Sequence, residues 1–266
     1  MSAPKYPPST SGLPRLQQSG LETYLRCGIR WALERETKHR HATVPMLVGS
    51  GVAGAAREDG RAKIVTGAGL TVGECVDVAV VEYETELETA EVPEPAAEVA
   101  RGKDRVADAA RCFAGESSPR IKQLVAVESP IVALVEGQFE LAGTPDVIDA
   151  DGVGELKTGQ PWTQERVDRS RQLTLYGLLR QARHGEFPRR VWVESLSETR
   201  RGWSAERLWS SRAPEDYAAL IYTVQRAAQA MAAGVTLPAP EGAWWCSAKW
   251  CPFWGRGCPA VPHDRR

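Results

Sequence analysis

Two carboxylates and one amine lie close together in the run Gly143-Thr144-Pro145-Asp146-Val147-Ile148-Asp149-Ala150-Asp151-Gly152-Val153-Gly154-Glu155-Leu156-Lys157. Apolar residues flank the turn signal Asp151-Gly152, so the run reads as a β-hairpin. A two-residue loop there sets either Glu155 or Lys157 opposite Asp146. Strand side chains alternate faces, so Glu155 and Lys157 share one. Either register therefore gathers Asp146, Glu155 and Lys157 on one face, within cross-strand reach. Val147 and Leu156 then point the other way, into a core. Two carboxylates and an amine on a rigid sheet suit a hard divalent cation and an activated water. They also suit a solvated hairpin carrying a salt bridge.

The pattern Asp146 … Glu155-x-Lys157 resembles the PD-(D/E)xK nuclease signature, and its Gly-x-x-Asp form resembles the RecB-like branch of that superfamily. The resemblance implies that Asp146 and Glu155, with the Leu156 carbonyl, hold Mg²⁺ or Mn²⁺. It places Lys157 beside the attacking water and the scissile phosphate. Residues 163–183 read as one helix with Thr163 as a candidate N-cap. Gln172 and Tyr176 are four apart there and share a face. Gln-x-x-x-Tyr after the Glu-x-Lys strand resembles the RecB-family motif that approaches the active site and the DNA backbone.

One departure stands out. The family often carries a His in a Gly-Ser/Thr-x-Val-His segment, where it helps bind the metal. The matching segment here is Gly49-Ser50-Gly51-Val52-Ala53-Gly54, with Ala53 in the place of the His. His39 and His41 lie upstream and out of register, while Glu58 is a candidate to reach the site from the same helix.

Six cysteines are present: Cys27, Cys75, Cys112, Cys246, Cys251 and Cys258. Three fall in Trp244-Trp245-Cys246-Ser247-Ala248-Lys249-Trp250-Cys251-Pro252-Phe253-Trp254-Gly255-Arg256-Gly257-Cys258. One N-terminal cysteine, Cys27, with three C-terminal ones resembles the iron–sulfur nucleases of the RecB-like group, AddB and CRISPR-associated RecB-like exonucleases among them. There a 4Fe-4S cluster staples the chain ends around the nuclease core. Four thiolates suit such a cluster, and closing so long a loop constrains the unfolded chain. The spacing differs from the commoner family pattern, which leaves two residues between the first clustered pair; here four separate Cys246 from Cys251 and six separate Cys251 from Cys258. Zinc also accepts four thiolates and stays open as the alternative. Cys75 and Cys112 read as buried apolar thiols. The aromatics Trp244, Trp245, Trp250, Phe253 and Trp254 either shield the cluster or stack on unpaired bases.

Elements must hold these groups in place. At 266 residues the chain can bury a sizeable core. Hydrophobic content of 42% and charged content of 25% are those of an ordinary soluble protein. No apolar run approaches membrane-spanning length and no signal peptide opens the chain, so a cytoplasmic location without membrane association is expected. Reduced cysteines there are better read as metal ligands than as disulfides. The net charge of −1 excludes a broadly basic nucleic-acid-coating protein, so contacts to DNA must come from local patches.

Residues 1–12 are expected to be a disordered tail, and 13–60 an N-terminal helical segment carrying Cys27. A helix is expected over 16–38 and another over 48–58. Residues 61–115 read as an insertion with short strands at 63–67 and 75–82 and a helix over 94–113. The nuclease core is placed at 116–236, with strands at 123–134, 137–148, 153–157 and 190–196. A short pairing strand at 207–210 and a helix at 214–233 follow, and 237–266 forms the cysteine segment. This order fits an α/β fold with a mixed central sheet flanked by helices. The resemblance makes it a restriction-endonuclease-like core whose chain ends are joined by a four-cysteine metal cluster.

The function expected is a metal-dependent DNA exonuclease in recombination, repair or phage DNA processing. Its partners would be DNA with a free end or a single strand, and a recombination or helicase protein. A catalytically weak nucleic-acid-binding protein on the same fold, and an unrelated zinc-stapled protein, are the alternatives.

Overall fold

The computed structural model describes residues 6, 9, 11, 12, 14–37 and 42–261. His39, His41 and most of the expected tail lie outside the described residues. In chain order the elements are β1 (Arg15–Gln17), α1 (Gln18–Arg26), α2 (Gly28–Glu36), α3 (Val44–Thr66), α4 (Val72–Thr89), α5 (Ala96–Cys112), β2 (Leu124–Val127), β3 (Ile131–Val135), β4 (Phe139–Gly143), β5 (Val147–Asp149), β6 (Gly152–Gly159), α6 (Gln164–Asp168), α7 (Arg171–His184), β7 (Arg190–Thr199), β8 (Gly202–Ser210) and α8 (Pro214–Ala232). They fall into two units. The first comprises Met1–His39, Val132–Ala142 and Ala218–Arg266, and the second Arg40–Ile131 and Gly143–Tyr217.

The second unit is built on a five-stranded sheet in the order β2-β5-β6-β7-β8. Its β6–β7 pair is parallel and its other pairs are antiparallel. β7 explains the layering. Trp192 and Leu196 pack into a core that includes Val48, Val52, Cys75, Tyr83, Val106 and Phe113 of the α3–α5 region. Val191 and Val193, alternating with them, pack with Val167 and Leu173 of α6 and α7. A strand buried on both faces needs apolar residues at successive positions. The result is an α/β fold with a mixed sheet flanked by helices, which fits a restriction-endonuclease-like core. No helix among the described residues is long and apolar enough to cross a membrane.

Gly154 shows how closely these layers meet. A Cβ added there would stand 2.1–2.3 Å from the Trp192 ring. Trp192 is itself 1% exposed and has no room to retreat. Gly154→Ala is therefore expected to cost about 3 kcal/mol or to prevent folding, the upper end of ordinary overpacking. Thermal denaturation checks it, and an unchanged melting temperature would show that the ring can move.

The first unit holds a three-stranded sheet in the order β1-β4-β3, with β1 parallel to β4. The β3–β4 hairpin turns at Glu136 (φ 48°) and Gly137 (φ 67°), a pair of left-handed residues matched to strand twist. Arg15 pairs with Glu140 at 2.6 Å, tying β1 to β4. On α8, Leu220, Val224 and Ala227 are buried at helical spacing.

Several expected elements are corrected. The short strands expected at 63–67 and 75–82 are instead the end of α3 with its left-handed cap Gly67, and part of α4. Thr71 caps α4 in a reciprocal box with Glu74, and Cys75, Ala79 and Tyr83 are buried four apart, the spacing of a helix face. The single helix expected over 16–38 begins as β1 and then breaks at Cys27 into α1 and α2. Cys27 is extended (φ −163°), and its Sγ accepts a hydrogen bond from the Arg30 N–H at 3.4 Å. The strand expected over 123–134 divides into β2 and β3, and that over 137–148 into β4 and β5. The helix expected at 48–58 is longer, and the pairing strand at 207–210 is the end of the nine-residue β8.

Candidate active site

The hairpin that carries the acids is closed by a side chain. Asp149 Oδ1 accepts hydrogen bonds from the N–H groups of Asp151 (2.9 Å) and Gly152 (2.6 Å). An Asp that bonds the backbone two residues on makes a turn by itself. The turn thereby moves from Asp151-Gly152 to Ala150-Asp151, between β5 and β6, and the register becomes Val147 with Gly154 and Ile148 with Val153. Continued by one step, it sets Asp146 across from Glu155.

The structure brings the five expected side chains of this unit together. Glu155 is 5% exposed. Its Oε1 accepts from Lys157 Nζ at 2.7 Å and from Gln172 Nε2 at 2.7 Å. Gln172 Nε2 also donates to the Tyr176 hydroxyl at 3.0 Å. Glu155 Oε2 is buried with no hydrogen-bond partner among the described residues. Asp146 Oδ2 accepts from the Leu156 N–H at 2.7 Å. Burial pushes the Asp146 carboxyl well above the ordinary carboxylate range, and the Glu155 charge adds to this. The Leu156 N–H and Lys157 pull the other way. Two carboxylates facing each other in a half-dry site repel, and a cation between them relieves the repulsion.

Gln172 and Tyr176 reach the site because of how α7 is started and seated. The helix expected over 163–183 is two helices. Thr163 caps α6, and Ser170 Oγ accepts from the Leu173 N–H at 3.3 Å to start α7 afresh. Gly143 lets α7 approach, since a Cβ there would stand 2.7 Å from Leu179 and 3.0 Å from Tyr176. The glycine of Gly143-Thr144-Pro145-Asp146 thus serves packing.

Ala53, Arg57, Glu128 and Asp146 line one cavity, so the position at which the RecB-like resemblance implies a His shares a cavity with Asp146. Glu58 instead pairs with Arg57 at 3.0 Å and Arg61 at 2.8 Å. Arg57 also pairs with Glu82 at 3.0 Å and Glu128 at 3.5 Å. Burial disfavours the charge on Arg57, but Glu58, Glu128 and Glu82 outweigh it and raise its pKa. Sequence reading missed Arg57 and Glu128. Arg57 stands one turn after Ala53 and was legible by that spacing; Glu128 becomes visible only through strand pairing.

The four expected cluster cysteines all lie in the first unit. Burial raises the Cys246 thiol pKa, and nearby Cys251, Cys27 and Cys258 raise it further. Cys251 likewise feels Cys258 and Cys27. Gly28, next to Cys27, admits the chain after α8, since a Cβ would stand 2.9 Å from the Leu237 nitrogen. Among the described residues, no group of three or more His, Cys, Asp or Glu side chains is arranged to hold a metal ion. Cys75 and Cys112 are buried, and burial pushes their thiols up to about 12 and about 11. Trp244 stands edge-on to Trp245 and Trp250, at 5.6 and 5.4 Å, and is 66% exposed.

Solved structures similar to this chain include the following three. A candidate exonuclease from Eubacterium rectale matches with a TM-score of 0.53 at 10% identity, over 85% of this chain and 84% of that one. SSO0001 matches with a TM-score of 0.37 at 15% identity, over 92% and 96% of the two chains. LHK-Exo, in complex with dAMP, matches with a TM-score of 0.31 at 17% identity, over 72% and 93%. Only the first of these likenesses bears on the fold, and at that identity it bears on nothing else. No curated protein sequence matches. The family model described as the PD-(D/E)XK nuclease superfamily matches residues 15–259, which takes in the Asp146 hairpin, the Gln172 helix and all four clustered cysteines, and the chain belongs to that superfamily.

Proposed function

We propose that the protein is a divalent-metal-dependent DNA exonuclease of the RecB-like type, with a 4Fe-4S cluster on Cys27, Cys246, Cys251 and Cys258. The observation that carries the nuclease reading is the buried Glu155 Oε2 beside Asp146, which has no hydrogen-bond partner among the described residues. Buried polar atoms in folded proteins are paired, and an orphan carboxylate oxygen facing a second carboxylate fits a cation. Asp146, Glu155 and the Leu156 carbonyl would hold Mg²⁺ or Mn²⁺, all oxygen donors suited to hard ions. Such an ion supplies charge that polarises a phosphoryl group and lowers the pKa of water. Lys157, tied to Glu155 at 2.7 Å, orients the attacking water and balances charge developing on the phosphate. Gln172 fixes the Glu155 carboxylate. Tyr176 in turn accepts from the Gln172 amide, and the two lie on the helix that approaches the DNA backbone.

For the cluster, the support is that Cys27, Cys251 and Cys258, all in the first unit, each act electrostatically on the Cys246 thiol. Four thiolates hold a 4Fe-4S cluster, and zinc is the other metal this donor set takes.

Ala53 favours a second reading, a nucleic-acid-binding protein of weak activity on the same fold. End-labelled linear DNA and covalently closed circular DNA, incubated with Mn²⁺ or Mg²⁺, separate the two. We expect linear DNA to be shortened from its ends, circles to be spared, and chelation to stop the reaction. Cut circles would replace the exonuclease by an endonuclease. Binding without cleavage would establish the second reading.

A further inference from the structure

Glu128 has no role in the reading so far, yet it lies next to the acid pair. Val127 pairs with Val147 in the β2–β5 ladder, and the Glu128 N–H donates to the Asp146 carbonyl at 3.0 Å. Glu128, Asp146 and Glu155 therefore occupy successive positions across β2, β5 and β6. Glu128 is left-handed (φ 40°), uncommon for a residue with a side chain, and this conformation marks where β2 ends. Its carboxylate is 27% exposed and meets Arg57 at 3.5 Å. That contact is looser than the ion pairs of Arg57 with Glu58 and Glu82. Arg57 rises from α3 one turn beyond Ala53, and both line a cavity with Glu128 and Asp146. The orphan Glu155 Oε2 points separately to a ligand at this acid pair.

We propose that Glu128, positioned by Arg57, is a further carboxylate of the cation site, acting on the ion through its charge and bridging water. The proposal rests on the Asp146–Glu155 cation reading. The three acids are not arranged as a direct three-carboxylate ligand set, which makes Glu128 a positioning residue that strengthens binding from the outer shell. Outer-shell partners of metal sites commonly change affinity 10- to 100-fold.

The test is Mn²⁺ titration of the full-length protein, followed by the paramagnetic resonance of free Mn²⁺, with melting temperature as a fold control. Glu128→Gln keeps the shape and removes the charge, and should weaken Mn²⁺ binding about tenfold at an unchanged melting temperature. Glu82→Gln loses a carboxylate from the same arginine but from α4, and should bind Mn²⁺ like the parent. Asp146→Asn, run alongside, should lose binding. If Asp146→Asn loses binding while Glu128→Gln binds like the parent, the cation site stands and the role of Glu128 is overturned. Equal weakening by Glu82→Gln and Glu128→Gln would also overturn it, because general charge would then suffice. If the parent binds no Mn²⁺, the cation reading itself fails, and this inference with it.

Discussion

Lys157→Ala is expected to reduce Mn²⁺-dependent DNA degradation by about 10²-fold or more, the size of effect seen when one charge-stabilising donor is removed from an active site. Lys157 stays partly exposed on β6, so the fold should survive its truncation. Its Nζ touches Glu155 Oε1, the oxygen that also receives Gln172, while Oε2 is left for a cation. Lys157 can therefore act on water and phosphate without coordinating the ion. Mn²⁺ binding should persist in Lys157→Ala, whereas Asp146→Ala and Glu155→Ala should lose binding and cleavage together. Calorimetric titration beside a cleavage assay separates these outcomes. Full cleavage by Lys157→Ala under saturating Mn²⁺ would remove Lys157 from the chemistry, and unchanged binding in both carboxylate variants would remove the cation site.

Replacing any one of Cys27, Cys246, Cys251 or Cys258 by Ser is expected to abolish the visible absorption that the proposed 4Fe-4S cluster would give the protein, its chromophore, and to lower the melting temperature. The first unit is assembled from three separated stretches of chain, the first carrying Cys27 and the last carrying the other three. A cross-link closing a loop of this length contributes on the order of 3 kcal/mol or more. At roughly 2–4 °C per kcal/mol for a chain of this size, the fall should be about 6–12 °C. Cys75→Ser and Cys112→Ser should keep the chromophore, because both thiols are buried in the other unit. Iron, sulfide and zinc analysis of anaerobically purified protein decides the metal. Zinc without iron would replace the cluster, and neither metal would leave the staple without support.

Local chemistry made part of this protein legible in its sequence. The alternation of strand side chains placed Glu155 and Lys157 on one face, and four-residue helical spacing placed Gln172 with Tyr176. Thr163 announced the start of a helix by its side-chain oxygen. The hairpin itself was legible, but its register was not: Asp149 outcompeted the Asp151-Gly152 signal by bonding two N–H groups with one carboxylate oxygen. Residues 63–67 and 75–82 misled for a related reason. Short β-branched and apolar runs fit either period, and what decided for helix was the Thr71–Glu74 cap and burial of Cys75, Ala79 and Tyr83 along one face. Other features depend on residues far apart in the chain. The parallel pairing of β6 with β7, the neighbourhood of Cys27 with the C-terminal thiols, and the approach of Arg57 and Glu128 to Asp146 are such cases. Each depends on residues far apart in the chain, because burial rewards the sum of contacts and no local pattern encodes which distant partner completes them.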